Sequence, residues 1–436
     1  MGYNSQAGQV GFGLQVSKGT AVAATRFARI RGGSLGGDRE LLIPDAEIGG
    51  NRDIQQAYLG PIAFSGSLDF YPRMQMLAML LKGAFGSSSS SDTAGVSEVQ
   101  TITISGTPTG GTFTLTFRGQ TTAAIDFDAT AAEVETAFEA LSTVGAGNGT
   151  CAGGPLPGTP VTVTFSGDLA ASNPPIITAV SSLTGGTNPA IAIAATTPGY
   201  PAMGVHTITP ADTVPWLTIE ERIGTSLESF QYTDTKIGKL RIEADATGYL
   251  MGSVDVLALG QVADFTAQTD PDWDLSPMMV GSSINLYHNA VRIPVKSFFF
   301  EIDNALENDD FRLGSVFLED AVEKRRLVKI GFGTRPETSE LWKTATYGDS
   351  DGTEAVAGAA ISGAWQIVMT SFEDIQGTST PYRLIIDIPS GVIVPFKFSP
   401  SGDDVLENDV EVQLTRPDPL VPICTATVRN DLATIV

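Results

Sequence analysis

The feature that most restricts what this chain can become is a two-residue alternation of apolar and polar side chains that recurs in segment after segment. Pro61 to Tyr71 (PIAFSGSLDFY) sets Ile62, Phe64, Leu68 and Phe70 on one side and Ser65, Ser67 and Asp69 on the other. Successive strand side chains point to opposite faces, so this reads as a strand with one dry and one wet face. Gly66 falls on the apolar side, where it predicts a bend or a close neighbour. KLRIEA (239–244), FFFEID (298–303), LVKIGF (327–332), YRLIIDI (382–388) and VEVQLT (410–415) repeat the pattern. The expected fold is mainly β, a mostly antiparallel sheet system. Two helices interrupt it. PRMQMLAMLLKGAFG should start with Pro72 in its first turn, stop near Gly83 and, being apolar nearly all round, be buried on several sides. PETSELWKTAT, after Arg335, is the second and is amphipathic. Long acidic loops are expected around 40–60, 266–278 and 348–359, and long loops in a compact domain usually have a job.

Composition divides the chain. GSSSSSD, Gly86 to Asp92, reads as a flexible linker. From Val96 to Pro198 only one basic residue (Arg118) stands against seven acidic ones, so this span carries −6 of a net charge of −23 and leaves −17 on the rest. TITISG and TFTLTFRG around TPTGG predict a hairpin, and Thr130 or Asp128 can cap a helix over AAEVETAFEAL. PVTVTFSG, PIITAVSS and AIAIAAT add strands, which makes this span a small α+β or immunoglobulin-like unit. Its Asn148-Gly149-Thr150 fits a glycosylation acceptor and is read as a turn. The expected division is 1–91 as the first part of a larger domain, ending in the Ser-rich linker; 92–199 as an inserted module; and 200–436 as the second part.

The apolar run in Met74 to Leu81 is far too short to span a bilayer, so no membrane insertion is expected. The first residues lack a secretory pattern, and Gln6 stands where a myristoylation signal needs Ser or Thr, so the expected start is at Met1, in a cytoplasm. Cys151 and Cys424 are too few and too far apart for a disulfide framework or zinc site and are read as core residues. The charge disfavours stable nucleic-acid binding while leaving DNA free to pass.

Motifs for chemistry fail on spacing. In GFGLQVSKGTAVAAT, Lys18 is followed by Gly19, so there is no phosphate loop, and Val16 occupies the third glycine position of a dinucleotide fingerprint. Neither His206 nor His288 is accompanied by a nucleophile elbow. Asp270, Asp272 and Asp274 alternate like the start of a calcium loop, but Leu275 replaces the turn glycine and no closing glutamate follows, which leaves them weak metal candidates. Asp349, Asp351 and Glu354 around Gly352 are equally ambiguous. No catalytic residue and no cofactor is expected. Two runs of opposite sign, Glu307 to Asp310 (including Asp309) and Lys324, Arg325 and Arg326, are expected assembly contacts that meet across subunits or rings and set register.

GFGLQVSKGTAVAATRFARI, FSGSLDFYPRMQMLAMLLKGAFG, FFFEIDNALENDDFRLGSVFLEDAVEKRRLVKIGF with ETSELWKTAT, and VEVQLTRPDPLVPICTATVRNDL together resemble the tail-tube (major tail) proteins of tailed bacteriophages. The 96–198 span resembles a module of phage virion proteins. The resemblance implies a β-sandwich or half-barrel subunit closing into a hexameric ring, with rings stacked into a tube for DNA ejection. It implies virion localisation after assembly in the bacterial host cytoplasm. It also implies tape-measure, tail-terminator and distal-tail partners, transient passage of DNA without tight binding, and weak contact of the outer module with host-surface glycans. Gly11, Gly13 and Gly19 would then serve strand bends and a hairpin with Lys18 at its tip. A lumen face could be built from Lys239, Arg241 and Glu243 or from Glu411, Gln413 and Thr415. The same sequence is compatible with a carbohydrate-binding β-sandwich adhesin of the virion or cell surface, which an exposed aromatic platform would favour, or with a β-fold hydrolase, which needs converging carboxylates.

Overall fold

The computed structural model describes residues 8–45, 53, 56–224, 228–355, 358, 360–376, 378–398 and 406–435. The tips of the loops expected at 40–60 and 348–359, and the residues read for an N-terminal signal, lie in part outside them.

The alternating segments are strands, and the chain is mainly β with three α-helices among the described residues. Among the described residues, seventeen strands join into one antiparallel sheet. From one edge it runs through Ile30–Leu42, Tyr58–Phe70, Met251–Ala263, Glu228–Asp245, Ser297–Asp303, Leu327–Thr334, Asn408–Leu414 and Pro381–Ile393. It continues through Thr425–Asn430 and Met203–Pro210 to Gly86–Thr93. Two branches leave this path. Glu228–Asp245 also pairs with Leu217–Ile223, which leads to Gln9–Leu14 and Arg26–Ala28; Pro381–Ile393 also pairs with Ser362–Asp374, which leads to Ile284–His288 and Val291–Ile293. The first hairpin shows why Gly66 stands on an apolar face: a Cβ there would lie 1.9 Å from the Ser34 carbonyl oxygen on the facing strand.

Helix α1 (Met74–Phe85) is the centre of the main core, with eleven of its twelve residues buried. Its orphan N-terminal N–H groups are satisfied from far away in sequence: Met74 N donates to Ser276 Oγ (3.0 Å) and Met76 N to Asp274 Oδ2 (2.7 Å). The helix passes the expected stop at Gly83 and ends at Gly86, whose φ of 107° is the conformation glycine adopts without strain. Lys82 is its one charged residue; burial lowers its pKa, and its Nζ donates to the Ile435 carbonyl at 3.0 Å.

The linker expected at Gly86–Asp92 is instead a strand. Ser residues carry little β preference of their own, but here their backbone pairs with Met203–Pro210 over the whole run from Gly86↔Pro210 to Thr93↔Met203. Beyond it, Val96 and Tyr200 exchange two N–H···O bonds of 2.9 Å, so the chain leaves and re-enters the large sheet side by side. Between them lie two four-stranded sheets and helix α2 (Ala131–Glu139). Thr130, rather than Asp128, caps α2 in a reciprocal box with Glu133. This region has its own core, in which Phe117, Phe138 and Phe165 lie 5.5–6.0 Å apart by ring centroid. The turn expected at Asn148 leads straight into the strand Gly149–Gly153, and Asn148 fastens it by donating to the Val144 carbonyl (2.8 Å) and accepting from Asp168 N (2.9 Å). Cys424 is buried and Cys151 half-buried; both are free, and burial pushes both thiols up to about 12.

Candidate assembly face

Four neighbouring strands, Glu228–Asp245, Ser297–Asp303, Leu327–Thr334 and Asn408–Leu414, turn Leu240, Ile242, Phe300, Ile302, Val328, Ile330, Val410 and Val412 into the core. The intervening residues form a polar face. Register decides which of them meet: Arg241 stands opposite Glu301, Glu301 opposite Lys329, and Lys329 opposite Gln413. Glu301 is the hub, reached by Arg241 (2.9 Å), Lys239 (3.1 Å) and Lys329 (3.7 Å). Arg241 also holds Glu243 at 2.8 Å, and Lys329 holds Glu411 at 3.6 Å. Phe299 lies under the cations, with the Arg241 guanidinium 3.9 Å from its ring centre. Burial raises the pKa of Glu301, but hydrogen bonds from Arg241 and Lys239 and the charges of Lys239 and Lys329 outweigh it and hold the carboxyl below its ordinary value. A shallow cavity of about 420 Å³ opens beside Arg241, Phe299 and Glu411.

The two triplets expected as alternative channel linings therefore belong largely to one surface. Lys239, Arg241, Glu243, Glu411 and Gln413 share it, whereas Thr415 has passed the strand end and pairs with Ser390 (2.8 Å). Glu301 was outside both triplets. Its alternation with Phe300 and Ile302 marked it as outward-facing, but its role as hub depends on the register of three strands.

The opposite charge runs come together within the chain. Leu306 and Glu323 form a β-bridge that sets Lys324 3.6 Å from Glu307, both substantially exposed. Asp310 is held by Arg312 at 2.9 Å, Arg326 turns inward to Asn304 Oδ1 (3.0 Å) and the Ala211 carbonyl, and Asp309 and Arg325 are exposed. The aspartate triplet does not converge. Asp272 pairs with Arg26 at 2.6 Å, Asp270 is exposed, and Asp274 is buried as the cap of α1. Among the described residues no group of three or more His, Cys, Asp or Glu side chains is placed to hold a metal ion. The glycine loop is a turn clamped onto two places: Lys18 reaches Asp320 (3.2 Å) and the Glu319 carbonyl (2.7 Å) of the 304–326 segment, and Gly19, at φ 82°, donates to Asp234 (2.6 Å) in the strand Glu228–Asp245. The histidines are far apart in the sheet. His206 is sealed between Ser90 and Asn430, and His288 stacks on Trp365 with ring centres 4.3 Å apart.

No family model matches the chain. It is similar to the tail sheath protein of Mycobacterium phage Bxz1, with 40% identity over 112 residues, which is 26% of this chain and 18% of that protein. The chain thus matches less than a fifth of that relative's length, and the name of the relative is that of a different tail component from the tube.

Proposed function

We propose that this chain is a structural subunit of a bacteriophage tail, and that within the tail it builds the tube. The tail reading is carried by the 40% identity to a tail sheath protein. In this reading the chain performs no reaction, resides in the virion, and polymerises with copies of itself and with other tail proteins. The finer tube reading is supported by the polar face. There the cations Lys239, Arg241 and Lys329 are already engaged by Glu301, Glu243 and Glu411, so passing DNA meets a wet surface without free cations to bind its phosphates. Asp309 and Arg325, both exposed, and the partly exposed Glu307 and Asp310 beside them remain candidates for contacts between subunits. We further read residues 92–199 as a module inserted into the tube domain and displayed outside the tube.

A sheath subunit is the second reading, favoured by the relative's name. The match is about as long as the 92–199 unit, and such a unit can be carried by tail proteins with different jobs. Electron cryomicroscopy of virions or of the concentrated protein separates the two. The tube reading expects a hollow cylinder whose inner wall carries Lys239, Arg241 and Glu411. A wall that surrounds another protein's cylinder would replace it with the sheath reading, and a protein that stays monomeric and is absent from virions would remove both.

A further inference from the structure

A cleft of about 710 Å³ lies at the end of the second branch of the sheet, bordered by Thr334, Asn408 and Val410 from the strands of the charged face, and the assembly reading gives it no role. Helix α3 (Glu340–Tyr347) forms one side of it. None of this helix's eight residues is fully buried; Leu341 and Ala345 touch the core, and Trp342 is left half-exposed on the cleft lining. Trp342 is the centre of an aromatic cluster, 5.4 Å from Phe398 and 5.2 Å from Tyr347, with Phe396 6.0 Å from Phe398. The polar lining comes from the start of the helix and from other segments. Arg292, Arg335, Glu337, Glu340 and Asp349 are exposed on it, and Asn408, only 6% exposed, belongs to the wall with its side-chain Nδ2 enclosed.

We infer that this cleft binds a neutral saccharide, a mono- or disaccharide unit of a larger glycan. The volume lies within the range of small-ligand sites, about 300–1,000 Å³. The chemistry narrows the class. An apolar protein segment would strip water from Arg292, Glu337, Glu340 and Asp349 without replacing their hydrogen bonds. An anion would meet three carboxylates, Glu337, Glu340 and Asp349, against Arg292 and an Arg335 already paired with Glu407 at 2.9 Å. A sugar ring offers an apolar C–H face to Trp342 and a rim of hydroxyls that both donate to Glu337 and Glu340 and accept from Arg292. The inference does not depend on the tail reading, and its test does not involve assembly.

The test uses the full chain with free glucose, galactose, mannose, N-acetylglucosamine, maltose and lactose as probes, read by saturation-transfer NMR and by tryptophan fluorescence. At least one sugar is expected to bind with a dissociation constant on the order of 1 mM. Trp342→Ala should weaken that binding at least about tenfold, Trp342→Phe should retain most of it, and both variants should still melt cooperatively, Trp342→Ala at a somewhat lower temperature because it loses packing on Phe398 and Tyr347. Absence of transfer from every sugar at roughly 20 mM, or unchanged binding by a folded Trp342→Ala protein, overturns the inference. Trp342-dependent binding of a synthetic 307–320 peptide in place of sugars would also overturn it, and would assign the cleft to a second copy of the chain.

Discussion

At the scale of single residues, the structure concentrates its electrostatic risk in Glu301 and His206. Glu301 has an 8% exposed side chain that answers three cations, each about a third exposed (30–36%). Losing one partner of a fully buried pair costs about 3–5 kcal/mol, but these cations can rehydrate, so Glu301→Gln is expected to cost about 1–3 kcal/mol in denaturant unfolding. The carboxyl's folded pKa lies below its ordinary value of 4.5, so the stability it confers is full above that pH and is lost as pH falls below it. His206 acts in a different window. Burial lowers its pKa from 6.5, more than its hydrogen bonds to Asn430 and Leu432 raise it. Asn430 Oδ1, which also accepts from Leu432 N, fixes the proton on Nε2 (3.0 Å), and Nδ1 accepts from the Ser90 hydroxyl (2.8 Å). The unfolded chain takes up this proton first as pH falls, so stability is full above about 6.5 and declines below it. His206→Gln should reduce the slope of the unfolding midpoint between pH 6.5 and 5, leaving the part due to His288, whose pKa burial also lowers, and leave the carboxylate-driven loss below pH 4.5 in place. An unchanged slope in the upper window would show that His206 does not control it.

At the scale of elements, α1 depends on a distant loop. Asp274 accepts from Met76 N, Ser276 N (2.9 Å) and the Ser276 hydroxyl (2.6 Å), and Ser276 in turn accepts from Met74 N. Asp274→Ala removes the acceptor for two buried N–H groups and should cost about 2 kcal/mol or more, lowering the thermal midpoint without changing the far-UV spectrum at low temperature. Asp274→Asn, which keeps one acceptor oxygen, should lose less. This cap also marks the limit of what the sequence makes legible. Alternation correctly identifies the dry faces through Leu240, Ile242, Phe300 and Val412, because burial repeats with the pleat. The apolar girth of Met74 to Leu81 announces a buried helix for the same reason. The cap is illegible because its two halves are about 200 residues apart, and nothing in DPDWDLSP separates a helix cap from a metal loop. The Ser-run strand is illegible because it is held by backbone pairing that leaves no side-chain pattern. The Glu301 hub follows from alternation only once the strands are placed in register.

At the scale of the whole molecule, the region between Val96 and Tyr200 shares neither sheet nor core with the rest. The large sheet closes over α1, while the Phe117, Phe138 and Phe165 cluster is enclosed by its own two sheets and α2. The connection is an antiparallel pair of strands already in hydrogen-bond register at Val96 and Tyr200, so a two-residue turn can replace what lies beyond it without moving either strand. We therefore expect a chain in which residues 97–199 are replaced by Asn-Gly to fold and melt cooperatively, and the isolated 96–200 segment to do the same. Each product should keep the unfolding midpoint of the corresponding transition in the parent to within a few degrees. If the tube reading is correct, the shortened chain should still assemble into cylinders of unchanged inner diameter and smaller outer diameter. Cylinders narrowed at the lumen would put the inserted unit inside the channel. A shortened chain that is insoluble, together with an isolated segment that does not melt cooperatively, would mean that the two cores are one folding unit despite their separate packing.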